Sequence, residues 1–328
     1  MRLTRRRIVG GLILIPPSLA FAAPGIWPRL GAVRAVTLSA PDLAYIEAAY
    51  TAYLGYVVAE RGVVTPQTAQ GWGARAVAGR NFLSLAPASG ESTWLRFVEQ
   101  AGPANFRALT TAGWNAAEII VQDVDVVAAR LEGSPFRVVV PAHPLDSVPE
   151  IHAMQVVGPA GEMLYLTAAM RPMPERDMPE AKSAVGRCFI AVLGGTDLEA
   201  MLEFYRGTFG NPPGNIHAAR VRALSAANGL PLDRRYDLAT VRLGQGSKIE
   251  IDRYPENTPS RPRAPDGLPY GMAMVTFECR DMDAVKHLMI AAPMPAEIGP
   301  YRGQRCATIR GAAGEWIELI ETPALRAQ

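Results

Sequence analysis

The chain has 328 residues, room for two domains of ordinary size. Apolar residues make up 49% and charged residues 20%, which excludes a disordered or collagen-like chain and a multi-span membrane protein. Lys and Arg total 33 against 31 for Asp and Glu, and no basic block follows residue 10, so nucleic acid is not an expected partner. Three cysteines are too few for a disulfide framework.

The chain opens with Arg2, Arg5, Arg6 and Arg7, then an apolar run from Ile8 to Ile15 that Pro16 and Pro17 break. Ala20-Phe21-Ala22 offers a small-residue cleavage site, so residues 1–22 read as an export signal. The run is too short to span a bilayer, and a membrane association is expected only if the signal stays uncleaved. Thr4-Arg5-Arg6-Arg7-Ile8-Val9 resembles the twin-arginine export motif. That resemblance implies delivery of an already folded chain to the periplasm or the exterior.

Past the signal the chain repeats. Gly158-x-x-Gly161-Glu162-x-x-x-Leu166 recurs as Gly311-x-x-Gly314-Glu315-x-x-x-Leu319, and Asp42-Leu43 recurs as Asp197-Leu198. Each Asp-Leu pair opens an amphipathic stretch, ending in Leu54-Gly55 or Phe209-Gly210. The repeat, about 154 residues long, divides the chain into halves at 30–170 and 186–325, joined by a proline- and charge-rich linker at 171–185. Asp123-Val124 and Asp281-Met282 repeat the pattern within each half, giving four units that start with a strand and then a helix.

Thr196 and Glu199 form a capping box, and Leu198, Met201, Leu202, Tyr205 and Phe209 make one helical stripe. Leu43, Ile46, Tyr50 and Leu54 do the same earlier, with shorter helices at Val124–Leu131 and Met282–Met289. Strand character appears at 35–38, 94–98, 119–121, 137–140, 163–167, 248–252, 272–277 and 315–320. The fold class is α+β.

A strand, an Asp-Leu helix start, an aromatic-rich helix ending in Gly and a final Gly-x-x-Gly-Glu strand together resemble the vicinal oxygen chelate family. That family includes glyoxalase I, extradiol dioxygenases and bleomycin-resistance proteins. The resemblance covers nearly all of the chain after the signal. It implies four βαβββ modules forming two tandem cups, each expected here to close within one half of the chain.

The resemblance also implies a divalent metal, held by a His seven residues before each helix-starting Asp and a Glu on each final strand. In the second half these positions are Ile190, Met274, Glu250 and Glu318; in the first they are Ala35, Ala116, Arg96 and Tyr165. Without imidazole the expected metal set is none or, at most, a weak site on Glu250 and Glu318.

Strand alternation places Lys248, Glu250 and Asp252 on one face of the second cup, with Cys188, Ile190, Val192, Met274, Trp316 and Glu318. Glu250 and Glu318 are the candidate catalytic acid and base, since a carboxylate in an apolar pocket titrates high. The first cup is expected to present Trp94, Arg96, Trp114, Glu118 and Tyr165, with Arg96 and Glu118 able to neutralise each other. Candidate substrate-binding residues are Arg96, Tyr165, Trp316, Lys248 and His217, the last on a long insertion (210–235) able to form a lid. The cysteines read as buried, inert thiols.

Two functions stay open at this point. One is an exported enzyme using lyase or isomerase acid–base chemistry on a small organic, anionic or aromatic molecule. The other is a metal-free binding protein of the bleomycin-resistance kind, with an extradiol-like enzyme bearing an atypical metal site as a further variant. The expected partner is a small molecule, and the expected state a monomer or weak dimer.

Overall fold

The structure, a computed structural model, describes residues 28–322. The expected export signal at 1–22 lies outside the described residues. The first module runs β1 (Leu30–Ala40), α1 (Leu43–Ala49, continued by a wider turn at Tyr50–Leu54), β2 (Val57–Val63), α2 (Pro66–Trp72), β3 (Asn81–Ala86) and β4 (Trp94–Glu99). The second runs β5 (Gly113–Val121), α3 (Val124–Arg130), β6 (Arg137–Leu145), β7 (Val148–Val157) and β8 (Met163–Ala169). The third is β9 (Val185–Gly195), α4 (Leu198–Phe209), β10 (His217–Arg220), α5 (Arg222–Ala227), β11 (Arg235–Gly244) and β12 (Ser247–Arg253). The fourth is β13 (Met272–Cys279), a 3₁₀ segment at Met282–Leu288 where a helix was expected, β14 (Met294–Pro295), β15 (Arg305–Arg310) and β16 (Trp316–Glu321). Among the described residues no helix is long and apolar enough to cross a membrane.

The repeated Asp has a local physical cause. Asp42, Asp123, Asp197 and Asp281 each accept a backbone N–H of the following turn, from Tyr45, Asp125 and Val126, Ala200, and Ala284 respectively. Each cap satisfies a donor that the helix start would leave unpaired, worth about 0.5–2 kcal/mol. The glycines that close the two long helical stretches, Gly55 and Gly210, take φ of +68° and +69°, the left-handed cap that a side chain would disfavour.

The Gly-x-x-Gly-Glu repeat is equally physical. The Glu162 carboxyl folds back onto its own turn, accepting from the Ala160 N–H at 2.8 Å and from the Tyr50 hydroxyl at 2.6 Å. A Cβ at Gly158 would lie 2.0 Å from Glu162 Oε1, so no other residue fits there. Glu315 repeats the arrangement with Ala313 and Tyr205 over Gly311. Each Tyr–Glu tie joins the first helix of one half to the last strand of the same half. Burial pushes both Glu162 and Glu315 up to about 7.

Eight strands form each of two sheets. One has the order β14-β15-β16-β13-β1-β4-β3-β2, the other β10-β11-β12-β9-β5-β8-β7-β6. The two-cup α+β architecture is therefore as expected, but the composition of the cups is not. The first module pairs with the fourth, β1 lying antiparallel to β13, and the second pairs with the third, β5 antiparallel to β9. Each cup thus draws its first module from one half of the chain and its second from the other. We call the outer-module sheet cup A and the inner-module sheet cup B. The main core lies between the backs of the two sheets and the helices, where Trp114 donates to the Trp316 carbonyl at 2.7 Å and packs on Phe277.

Replacing Tyr50 or Tyr205 with Phe removes a donor from a buried carboxyl. Each change is expected to cost about 1–3 kcal/mol in urea unfolding. Gly158→Ala should cost at least as much, because its Cβ displaces the carboxyl that holds the turn.

Candidate functional site

Exchanging the modules separates the residues the sequence had grouped. Glu250 lies in cup B on β12, whereas Glu318 lies in cup A on β16. Arg96 and Trp316 fall in cup A with Glu318; Tyr165, Lys248 and His217 fall in cup B with Glu250. Glu118 joins Glu250 rather than Arg96. The carboxylate pair brought together is therefore Glu250 with Glu118, not the expected Glu250 with Glu318.

Cup A is filled. Arg96, 1% exposed, and Glu318, 3% exposed, form an ion pair at 2.9 Å. The guanidinium also donates to Thr37 and to the Tyr301 hydroxyl. Glu318 accepts from Trp72 Nε1 at 2.7 Å, Thr276 at 2.6 Å and Tyr301 at 2.9 Å. Burial alone would raise Glu318, but Arg96 and these donors outweigh it and hold the carboxyl below its usual range. The Trp72 ring stacks 4.6 Å from the guanidinium, and the space left is about 20 Å³, room for one water at most. Trp72 comes from α2, an element absent from the sequence reading, although Thr65 as N-cap and Pro66 at the first helical position signal it. Trp316 covers the outer side, its ring beside Arg263 and Arg310.

Cup B is open, with a cavity of about 380 Å³, a size suited to a small organic ligand. Its floor is read directly from the register. Across the sheet run Tyr165, Glu118, Ile190 and Lys248, one row, and Met163, Ala116, Val192 and Glu250, the next. The alternation expected for Lys248, Glu250 and Asp252 holds. Cys188 departs from it: a register shift beside Glu118 turns Phe189 and Ile190 toward the cup and Cys188 into the core. Trp114 likewise packs in the inter-sheet core, not in a cup. The insertion at 210–235 supplies β10 and α5, which wall the cavity with His217, an exposed residue paired with Leu238. The linker contributes Arg176 and Met178, and Lys248 donates to the Asp177 carbonyl at 2.9 Å.

The floor carboxyls titrate high. Burial pushes Glu118 up to about 7, against a 2.7 Å hydrogen bond from Thr167 and the pull of Lys248. Glu250 rises well above its ordinary value, through burial first and then its neighbours Asp252 and Glu118. Asp252, fully buried, rises to about 7 for the same reasons. Neither carboxyl oxygen of Asp252 has a partner among the described residues, nor do the Tyr165 and Tyr254 hydroxyls nearby. Burial lowers Lys248, despite the opposing pull of Asp177 and Glu118.

The metal implied by the resemblance does not fit these residues. The family positions in cup A are Ala35, Arg96, Met274 and Glu318, where a guanidinium already holds the one carboxylate. In cup B they are Ala116, Tyr165, Ile190 and Glu250, a single carboxyl and a phenol. Among the described residues no three of His, Cys, Asp or Glu are placed to hold a metal ion.

Two outcomes follow. Arg96→Met strands the Glu318 charge and should cost about 3–5 kcal/mol in chemical denaturation, while Arg96→Met with Glu318→Leu should recover most of that loss. For the cup B acids, the folded-state value lies above the unfolded one, so the folded chain binds more protons. The contribution of these acids to stability should be full below about pH 4 and be lost as pH rises through about 7, opposite in sign to that of Glu318. Asp252→Asn should reduce that fall in thermal melts across the range, leaving the part due to Glu118, Glu250, Glu162 and Glu315.

Among solved structures, glyoxalase I from Zea mays is similar at 15% identity and a TM-score of 0.60, over 88% of this chain and 92% of that one. A putative dioxygenase from Bacillus subtilis is similar at 13% identity and a TM-score of 0.58, over 90% of this chain and 86% of that one. No family model and no curated protein matches the chain. At such identities the likeness is one of fold: the chain has the fold of glyoxalase I, with four βαβββ modules closing two cups.

Proposed function

We propose that the chain is an exported enzyme performing acid–base chemistry of the lyase or isomerase kind on a small organic molecule in cup B, without a metal. The observation that carries this reading is the pair Glu118 and Glu250, half-buried on one concave face of the cavity and differing in environment. Glu118 accepts a hydrogen bond from Thr167 and feels Lys248, so it ionises first and acts as base. Glu250 receives no protein hydrogen bond among the described residues and sits beside Asp252, so it keeps its proton and acts as acid. Environments that drive two carboxyls apart in this way supply an acid and a base at one neutral pH.

Phe189, Ile190, Met178 and Leu238 wall the cavity and limit water, which strengthens both roles. A proton leaves a substrate carbon to Glu118, and Glu250 returns one to a neighbouring atom. Isomerisation and elimination need only these two transfers. Both cups close within a single chain, which supports a monomer or weak dimer. The Arg-rich start followed by Ala20-Phe21-Ala22 supports export to the periplasm or beyond.

The test is a panel of small organic acids and carbonyl compounds incubated with chelator-treated protein in D₂O and followed by proton NMR. At least one compound should be consumed or take up deuterium. Glu118→Gln and Glu250→Gln should each slow that reaction by about 100-fold or more while the circular dichroism stays native. Unchanged rates in both variants would remove the pair from the mechanism. Saturable binding with no turnover of any compound would assign the protein to the binding class instead.

A further inference from the structure

Arg242 lies directly opposite Lys248 in the β11–β12 register, and both side chains line the cup B cavity. Like charges directly across a strand pair repel and destabilise it. Among the described residues neither makes a salt bridge, although Arg220 and Arg222 at the same mouth share Asp146 and Arg187 behind holds Glu91. Lys248 satisfies one donor on the Asp177 carbonyl; Glu118 and Asp177 attract it from farther off, and Arg242 and Arg187 repel it. An exposed arginine and a half-buried lysine, set opposite each other in the wall of a concave cavity, can both point their charge at one anion.

We propose that Lys248 and Arg242 form a carboxylate subsite, so that the cup B ligand is a small organic acid. The subsite is one register row from Glu250, roughly 6–7 Å along the strand. A carboxylate gripped there by the planar Arg242 fork and the Lys248 ammonium leaves the rest of a small molecule over Glu118 and Glu250. Arg176 and Arg235 at the mouth add to the field that draws an anion inward. The inference deepens the cup B reading, but it is read out by binding alone, so it stands or falls separately from proton transfer.

The test uses calorimetry and thermal melts of the full chain with acetate, pyruvate, succinate and benzoate, with acetamide and benzamide as neutral matches and inorganic phosphate as a separate arm. Carboxylates should bind saturably and raise the melting temperature; the amides should do neither. Arg242→Gln and Lys248→Met should each weaken the best carboxylate by about tenfold or more. Arg242→Gln without ligand should melt higher than the parent, because the repulsion is gone. Arg206→Gln, on an exposed helix face, should change none of this. Amide binding equal to carboxylate binding, no carboxylate binding at all, protection by phosphate alone, or undiminished affinity in Arg242→Gln would each overturn the proposal.

Discussion

A charge buried in a cup has to be matched by the protein or left for something else to match. The two cups of this chain take opposite courses at corresponding positions. On the final strands of cup A stand Arg96 and Glu318, and they meet at 2.9 Å, with Thr37, Trp72, Thr276 and Tyr301 completing their hydrogen bonds. On the final strands of cup B stand Tyr165 and Glu250, and among the described residues no cation pairs with the carboxyl. Paired charges with a full set of hydrogen bonds tolerate burial, so cup A collapses to a solid core under Trp72. Cup B, where no such pair forms among the described residues, holds a cavity of about 380 Å³.

Duplication permits this division of roles. Each cup contains one first-type and one second-type module, so either could in principle have been kept open. Because the modules are exchanged between halves, filling cup A also fastens the two ends of the chain together through β1 and β13. The Tyr50–Glu162 and Tyr205–Glu315 ties hold within each half, at right angles to that logic. The result is a closed circuit of contacts: within a half through a Tyr–Glu tie, between halves through a sheet. Cup B is framed by this circuit without needing a packed centre of its own.

Features decided locally were legible in the sequence. Asp42, Asp123 and Asp281 cap their own turns, Gly55 and Gly210 close theirs, and the Gly-x-x-Gly-Glu turn is complete within a few residues; at α4 the cap is Asp197, one residue after the Thr196 of the expected capping box. Strand alternation correctly placed Lys248, Glu250, Asp252, Glu118 and Tyr165 on inward faces. The pairing of modules was not legible, because all four present similar first strands and the choice rests on long-range closure. That single error moved Glu318 away from Glu250 and set Arg96 against the wrong carboxyl. The irregularity that turns Cys188 inward to the core has no side-chain signature, and the fourth helix start reads as an α-helix although it winds as 3₁₀.

The remaining question is why cup B keeps groups that a stability-driven sequence would discard. Asp252 is fully buried, and among the described residues neither its oxygens nor the nearby hydroxyls of Tyr165 and Tyr254 have a partner; it lies directly along the strand from Glu250. Buried polar atoms without partners are costly, and such groups are few in folded proteins. Cup A shows that this same fold can satisfy an acid completely with one arginine and three donors. An Asp at 252 raises its neighbour Glu250 further than burial alone would. An apolar residue there would relieve the strain and also let Glu250 lose its proton more easily. The cost is therefore tied to the protonation of one side chain in the open cup, which is where the proposed chemistry needs a proton held ready.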